Sequence, residues 1–512
     1  MTSISVDAGT TMIKAVAYAD DGTEVAVARQ ATSVTRPRPG WVEQDMDEVW
    51  QAVVATVRGV AARLDAPVDF ISITAQGDGA WLVDRDGNPT GPAILWNDGR
   101  GVDILTRWTD DGVLERAFPI NGNLTSSGMP NVILSWLHDH DPQRLLDSSV
   151  SLTCGGWIFA RMTGELAMDE SDASAPFMDI RTRRYSPELL KLYGMEWAGR
   201  LLPEIRDDTR RVAPLAGAAP STLGLPVGVP VVMAPYDIAS TAIGVGVARP
   251  GQACTILGTT ICPEILIDAA QSTGTAAGLN IASGHGSRVL RSFPTLSGGE
   301  VITWTCAMLG LGTPESFMDL AAASGPGAAG LLFLPYFSPA GERAPFLDPQ
   351  ARGMFAGLSF EHSRAHVARA VLEGLTFVIR DCLQAAGGKP AELMVCGGGA
   401  ASSTWLQLIA DITRLPVRRS EDTEVGARGA FLTGLVATGS MPGIEEAAAA
   451  HVRLGKTYLP EAKASAFYDG LFADFLAMRE SSSRSWGRLA RMRHRAQDFQ
   501  GSPAMSMEAA HE

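Results

Sequence analysis

The stretch "SVDAGTTMIKAV", residues 5–16, decides how the rest of the chain is read. Ile4 and Val6 read as the end of a strand, and after the two threonines the chain turns extended again. With the Asp20-Asp21-Gly22 turn, this opening is two or three antiparallel strands joined by tight turns. Gly9 allows close backbone approach, and the amides and hydroxyls of Thr10 and Thr11 can cradle a phosphate. Asp7 would repel a bare phosphate, but not one bridged to it by Mg²⁺, a hard dication that binds both anions. Lys14 adds a positive charge on the following strand. Alone, the motif reads more readily as a plain hairpin. However, "ACTILGTTICPEILI", residues 253–267, repeats it as strand, Gly258-Thr259-Thr260, strand. Two such hairpins about 250 residues apart predict two related domains, each offering a phosphate-facing turn.

The chain has 512 residues, enough for two or more domains with large cores. Pro250-Gly251 in "VARPGQA" marks a break, and the expected division is 1–248, 249–482 and a peripheral tail over 483–512. The tail is basic and then poor in apolar residues, and its last fifteen or so residues are expected to be poorly ordered. A net charge of −14 argues against nucleic acid or an anionic membrane as partner. Six scattered cysteines without a CxxC pair fit a reducing cytosol, so a cytoplasmic protein is expected. His138 and His140 alternate as on a strand, but lack the further ligands of a structural metal site. No signal peptide and no transmembrane run is predicted.

Elsewhere a helix is predicted from about Met46 to Leu64, on Val49, Val53, Val57, Val60 and Leu64. "FISITAQGDG" and "AILWNDGR" read as buried strands opening into loops. Asp78 lies between two glycines, with Trp81, Trp96, Asn97 and Asp98 near it. Indole, carboxylate and amide groups suit a polyhydroxylated ligand, although singly each tryptophan reads more readily as core and Asp98 as a turn former. Asp237 ends the apolar run of "PVVMAPYD", where acids face the crevice of open α/β sheets. The other reading is an N-cap for a helix starting near Ser240. Gly397-Gly398-Gly399 stands between a strand and a helix, as for flat contact with a nucleotide or for a tight turn. It is no dinucleotide fingerprint, and "RLGKTY" is no P-loop, because Ala450 stands where the first glycine is needed.

Together these residues resemble the FGGY carbohydrate kinases, which share the actin/hexokinase/Hsp70 ATPase fold. The resemblance runs from about residue 3 to 480. It includes "DAGTT", "AILWNDGR", the Tyr236-Asp237 pair, "LGTT", "LPYFSPAGERAPFLDPQARGMFAGL" and "GGGAASSTWLQLIADI". "GMFAGLSFEHSRAHVARAVLE" fits the C-terminal signature throughout. "GMPNVILSWLHDH" fits the N-terminal one, with Ile133 where the family usually has lysine. The resemblance implies an α/β fold of two actin-like (ribonuclease H-like) domains closing over a cleft. It implies that Asp7 helps hold Mg²⁺ and that Thr10, Thr11 and Lys14 face the ATP phosphates. Gly258, Thr259 and Thr260 would form the second phosphate loop, and Gly398, Gly399 and Ser403 would lie against adenosine. Asp237 corresponds to the general base, with Gln76, Gly77, Asp78, Trp96, Asp98 and Asp237 around the sugar.

Substrate choice is expected in "AQGDGAW". Glycerol kinases carry Gln-Arg-Glu where this chain has Gln76-Gly77-Asp78, and D-xylulose kinases carry Gln-Met-His. The Gln-Gly-x-Gly pattern resembles kinases of erythritol and of L-xylulose. Ile238 replaces a polar amide of the glycerol and xylulose kinases. The expectation is phosphorylation of a terminal hydroxyl of erythritol, with L-xylulose or D-xylulose as alternatives, by a monomer or homodimer with no nucleic-acid or membrane partner. Two rival classes are a non-catalytic actin-fold sugar sensor and an Hsp70-like chaperone. The first is expected to carry a basic DNA-binding module, for which no room precedes Asp7. The second needs a β-rich substrate domain after the second half.

Overall fold

Alternating apolar residues from Thr2 onward build the first sheet. The computed structural model describes residues 2–272 and 276–499. Strands β1 (Thr2–Ala8), β2 (Met12–Ala19) and β3 (Glu24–Ala31) form an antiparallel meander, and Ile4, Val6 and Ala8 are fully buried. The wholly buried β4 (Phe70–Ala75) runs parallel to β1, with Ala8 opposite Ala75. With β5 (Val212–Pro214) and β6 (Pro230–Met233) the order is β5-β6-β4-β1-β2-β3, and Met233 of the parallel β6 sits opposite Ile73. Three parallel strands therefore end side by side, and the loops after Ala8, Ala75 and Met233 leave at one edge. That edge is where open α/β sheets bind ligands.

Helix α1 (Met46–Ala61) covers one face. The Asp45 carboxylate starts it by accepting from the amides of Asp47 and Glu48 at 2.8 and 3.2 Å, a cap that contributes about 1 kcal/mol. Val49, Val53, Val57 and Val60 are fully buried under it beside helix α2 (Cys154–Thr163). Each such valine contributes roughly 1.5 kcal/mol relative to exposure.

Helix α3 (Asp237–Gly244) begins at Asp237 itself, three residues before the start expected near Ser240. Seven strands then form the second sheet: β7 (Ala253–Leu257), β8 (Ile261–Ile267), β9 (Leu279–Ala282), β10 (Val289–Ser292), β11 (Leu393–Cys396), β12 (Val417–Ser420) and β13 (Leu454–Tyr458). Their order is β9-β10-β8-β7-β11-β12-β13. Strands β7 and β11 are parallel, with Ile256 opposite Cys396. Helices of this half include α4 (Gly299–Met308), α5 (Arg364–Ala385), α6 (Ser403–Thr413), α7 (Val425–Ala437) and α8 (Ala462–Phe499).

Two of these helices are exchanged between the sheets. Helix α3 comes from the first half, yet Ala239 and Ala242 pack with Cys254, Leu266, Met394 and Cys396 of the second sheet. Helix α7 comes from the second half, yet Ala427, Phe431 and Leu435 pack with Val16, Tyr18, Phe70 and Val232 of the first. The two helices touch backbone to backbone. A Cβ on Gly244 would lie 1.9 Å from the Val425 oxygen, and one on Gly429 would lie 1.8 Å from the Ser240 oxygen. Arg428 of α7 donates to the Gly22 carbonyl at 2.5 Å and lies over the Tyr18 ring at 4.4 Å, fixing α7 to the β2–β3 turn.

Two expectations are corrected. The chain just beyond residue 482 is not peripheral: it continues α8, and Trp486, only 2% exposed, packs on Phe346 and Tyr336 at 5.7 Å. Phe475, Trp486 and Ala490 keep one apolar face amid arginines that lower the average hydropathy. Residues 500–512, the greater part of the segment expected to be poorly ordered, lie outside the described residues. His138 and His140 lie on a helix, Pro130–His140, where they stack on Trp197 and Trp136 at 4.5 and 4.3 Å. All six cysteines are buried and free. No helix among the described residues is long and apolar enough to cross a membrane.

Inside the second sheet, Glu264 of β8 is fully buried and accepts from the Ser292 hydroxyl at 3.0 Å and the Cys254 thiol at 3.3 Å. Burial pushes its carboxyl up to about 8, against about 4.5 when exposed. Between these values the folded protein holds a proton that the unfolded chain has lost, so stability falls as pH rises. Urea midpoints of the wild type should drop more steeply from pH 5 to 8 than those of Glu264→Gln, which does not titrate. Parallel pH profiles would show that Glu264 is already ionised in the fold.

Candidate active site

The loop after β1 is held from behind. The Thr10 hydroxyl donates to Gln76 Oε1 at 2.7 Å and accepts from Trp96 Nε1 at 3.1 Å. The Thr10 carbonyl accepts from Gln44 Nε2 at 2.8 Å and from the Thr32 hydroxyl at 3.0 Å. Gln76 is only 2% exposed and spends its amide on Gln44 Oε1 at 2.9 Å. Gln76 and Trp96, expected at the sugar, thus hold the first GTT turn, while Thr11 stays exposed at its tip.

Lys14 Nζ lies 3.6 Å from Asp7 and 3.0 Å from Glu424, the residue preceding α7. Burial pushes Asp7 up, against the opposing charge of Lys14, and the Glu424 charge adds to the rise. Burial also acts on Lys14, but the charges of Asp7 and Glu424 outweigh it and raise the ammonium. For Glu424 burial is likewise outweighed, here by the Arg29 hydrogen bond and the Lys14 charge, so its carboxyl is held down. Lys14 is thus shared between Glu424 and Asp7, whose carboxyl is the hard oxygen donor that a dication takes. Gly426 makes room for it, since a Cβ there would lie 2.9 Å from Asp7 Oδ2. Glu424 was missed in the sequence, where it is one more acid ahead of an apolar helix.

The loop after β4 has an enforced shape. Asp78 and Gly79 are left-handed, at φ 54° and 74°. A Cβ on Gly77 would meet the Tyr236 ring at 2.4 Å. Burial pushes Asp78 up to about 6, opposed by Arg343 of the second half. One residue on from Tyr236, Asp237 accepts from the Ile238 amide at 2.7 Å. Burial is the main cause that lifts it to about 7; the Asp7 charge adds to this, the Ile238 bond opposes it, and Asp78 raises it further. The structure therefore brings Asp7, Asp237 and Asp78 within electrostatic reach of one another. A cavity of about 240 Å³ opens here, lined by Asp78, Tyr236, Asn123, Ser171, Asp172 and Ser174, among others.

Asp98 is not part of this group. It is fully buried, accepts from the Arg100 amide and guanidinium at 2.8 to 3.0 Å and from the Val42 amide at 2.6 Å, and so its oxygens are already bonded. Trp81 is core, packed on Trp157. Ile133 is fully buried in an apolar cluster with Val132, Leu134 and Leu137, so at this position the chain packs a helix. Asp172 and Ser171 escaped the sequence reading, because "ESDASA" carries neither glycine nor aromatic punctuation.

In the second half, the Gly258 amide donates to the Thr260 carbonyl at 3.0 Å, and the Gly258 carbonyl accepts from the Gly299 amide at 3.0 Å. The turn is thereby pressed onto Gly298-Gly299 at the start of α4. The β7–β11 register places the glycine run beside it, and a Cβ on Gly397 would lie 2.7 Å from the Leu257 oxygen. Gly399 is packed by Trp405, but a Cβ on Gly398 would meet open space. Ser402 caps α6 by accepting from the Trp405 amide at 3.2 Å, which leaves Ser403 exposed on the first turn.

Residues 2–244 match the N-terminal domain, and residues 270–438 the C-terminal domain, of the FGGY family of carbohydrate kinases. The chain belongs to this family. The FGGY kinase is 31% identical to the erythritol kinase of Brucella abortus (strain 2308), over 95% of this chain and 97% of that protein. It is 32% identical to the xylulose kinase of Escherichia coli (strain K12), over 91% and 96%. A ligand-bound xylulose kinase from Lactobacillus acidophilus superposes with a TM-score of 0.90 at 25% identity, over 95% of this chain and 99% of that one. Sugar kinases of this family use ATP. The FGGY kinase is an enzyme of the sugar and polyol kinase class, and the sensor and chaperone readings give way to it.

Proposed function

We propose that this FGGY kinase transfers the γ-phosphoryl group of ATP to a terminal hydroxyl of erythritol or a closely similar polyol. The observation that carries this reading is the acidic lining of the cavity, with Asp78 and Asp172 on its wall. Asn123 Nδ2 is committed to the carbonyls of Asn121 and Ser174 at 2.7 and 2.8 Å. The Ser171 hydroxyl donates to Asp169, and that of Ser174 to the Glu170 carbonyl. Asp78, the Asp172 carboxyl and the serine lone pairs remain as acceptors. A polyol brings a donor on every carbon, whereas the carbonyl of a ketose needs a donor from the protein. The likeness to an erythritol kinase supports the same choice, and the likeness to xylulose kinases supports L-xylulose or D-xylulose as the second reading.

In this reading Asp237 takes the proton of the attacking hydroxyl, and a carboxyl near 7 suits a base working at neutral pH. Thr10, Thr11 and Lys14 on one side, and Gly258, Thr259 and Thr260 on the other, face the ATP phosphates. The open face at Gly398, with Gly399 and Ser403, takes the adenosine. Asp7 fits Mg²⁺, which when bound offsets charge on the phosphates in flight. The six free, buried cysteines suit work in the cytoplasm.

A coupled ADP-release assay over polyols and ketoses of three to six carbons tests the reading. Erythritol should give the highest kcat/KM, with L-xylulose and D-xylulose about tenfold lower or more, the cost of one unmet buried hydrogen bond. Turnover of a xylulose with none of erythritol would overturn it.

A further inference from the structure

Asp172 stands apart from the other acids of the cavity. It sits in the short helix Glu170–Ala173, directly after the strand Ala167–Asp169. Its side chain lines the cavity together with Asp78 and Tyr236. It is more than nine-tenths buried, at 8% exposure, and its Oδ1 has no hydrogen-bond partner. A buried polar atom left in this way costs about 1 to 3 kcal/mol, so an unpartnered one at a ligand cavity points to a bond completed by the ligand. Its neighbour Asp169 also has one oxygen without a hydrogen-bond partner, but that oxygen faces the Arg211 guanidinium at 3.8 Å and does not line the cavity, while the other accepts from the Ser171 amide and hydroxyl.

We propose that Asp172 is a specificity-determining residue of this kinase, its Oδ1 pairing with a secondary hydroxyl of the substrate while Asp78 accepts from an adjacent one. The inference rests on the polyol reading and adds the group that distinguishes hydroxyl-bearing from deoxygenated carbons. Burial pushes Asp172 well above its ordinary value and the Asp169 charge adds to it; the Thr153 hydroxyl beside one of its oxygens opposes the rise, and the charges of Asp78 and Asp237 raise it further. Asp78, lifted only to about 6, is ionised at neutral pH and offers acceptors alone. A vicinal diol satisfies both residues at once, whereas a deoxy carbon facing Asp172 leaves Oδ1 unpaired.

The test compares the full-length wild type with Asp172→Leu, which keeps the bulk and removes the hydrogen bonding. Each is assayed on erythritol and on butane-1,2,4-triol, which lacks one secondary hydroxyl. The wild type should favour erythritol in kcat/KM by about 100-fold, and Asp172→Leu should shrink that preference about tenfold, through KM for the polyol rather than for ATP. Asp172→Asn, which retains a donor and an acceptor, should keep a preference between the two. Should the leucine variant not fold, Asp172→Ala reads the same ratio. An unchanged ratio in the folded variants, with both substrates slowed alike, would reduce Asp172 to a packing residue and overturn the proposal. Should the substrate screen rank another compound first, the ratio is measured on that compound and its deoxy analogue. A failure of erythritol as substrate is thereby kept apart from a failure of Asp172.

Discussion

Asp237→Asn should lower kcat by about a thousandfold while the Kd for ATP stays within a factor of a few, because in the proposed reaction it deletes the positioned base and nothing that binds the nucleotide. The amide keeps the shape of the carboxylate, and its oxygen can still accept from the Ile238 amide, so the first turn of α3 is retained. The pH dependence carries the same signature. The base works only when ionised, and in the free protein burial with the Asp7 and Asp78 charges sets that ionisation near 7. Wild-type kcat/KM should therefore rise as pH increases through about 7, and Asp237→Asn should lack that limb. Coupled ADP release gives the rates, and calorimetric titration gives ATP binding. Transfer by the variant at close to the wild-type rate would remove Asp237 from the chemistry.

Gly429→Val should be the most damaging single change to stability away from the site. The Cβ it adds would fall 1.8 Å from the Ser240 oxygen, far inside any van der Waals contact, and that neighbour is helix backbone that no rotamer change can move. Helices α3 and α7 must then separate, which loosens α7 from the Tyr18 and Phe70 face of the first sheet and α3 from the second. Overpacking of this kind costs about 3 kcal/mol or more. Asp237 opens the displaced helix, so activity should fall alongside the urea midpoint. Gly470→Ala is the control: it lies within α8 with open space at its Cβ, and should be neutral or stabilising by about 0.5 to 1 kcal/mol. A Gly429→Val protein with a wild-type midpoint would show that the helices do not sit at backbone contact.

What could be read from the sequence was local. The strand–turn–strand hairpins around Gly9 and Gly258 announce themselves through glycine, threonine and alternating strands, and through them the two-domain family fold. Asp78 and Asp237 are marked by apolar runs that stop at an acid. The orientation of a side chain is less readable. Asp98 follows Trp96-Asn97 as a ligand carboxylate would, yet its bonds go to Arg100 two residues later and to Val42, 56 residues away in the chain. Gln76 and Trp96 are expected at the sugar, but both bond the Thr10 hydroxyl, and for Gln76 the β1–β4 pairing, which ends with Ala8 opposite Ala75, sets it beside that turn. Asp172 and Glu424 carry no local signal, since what distinguishes them is an unpaired oxygen in one case and a lysine shared across the chain in the other. The continuation of α8 was hidden because a single buried tryptophan outweighs the arginines around it.

The exchange of α3 and α7 also bears on how the protein comes into being. A ribosome that has made 248 residues has made a first sheet whose Val16, Tyr18, Phe70 and Val232 face waits for residues 425–437, nearly two hundred positions downstream. Until those residues emerge the nascent chain carries an uncovered apolar face, the kind of surface that chaperones hold and that aggregates without them. Neither half therefore completes its core alone, because each is closed by one helix that the other supplies.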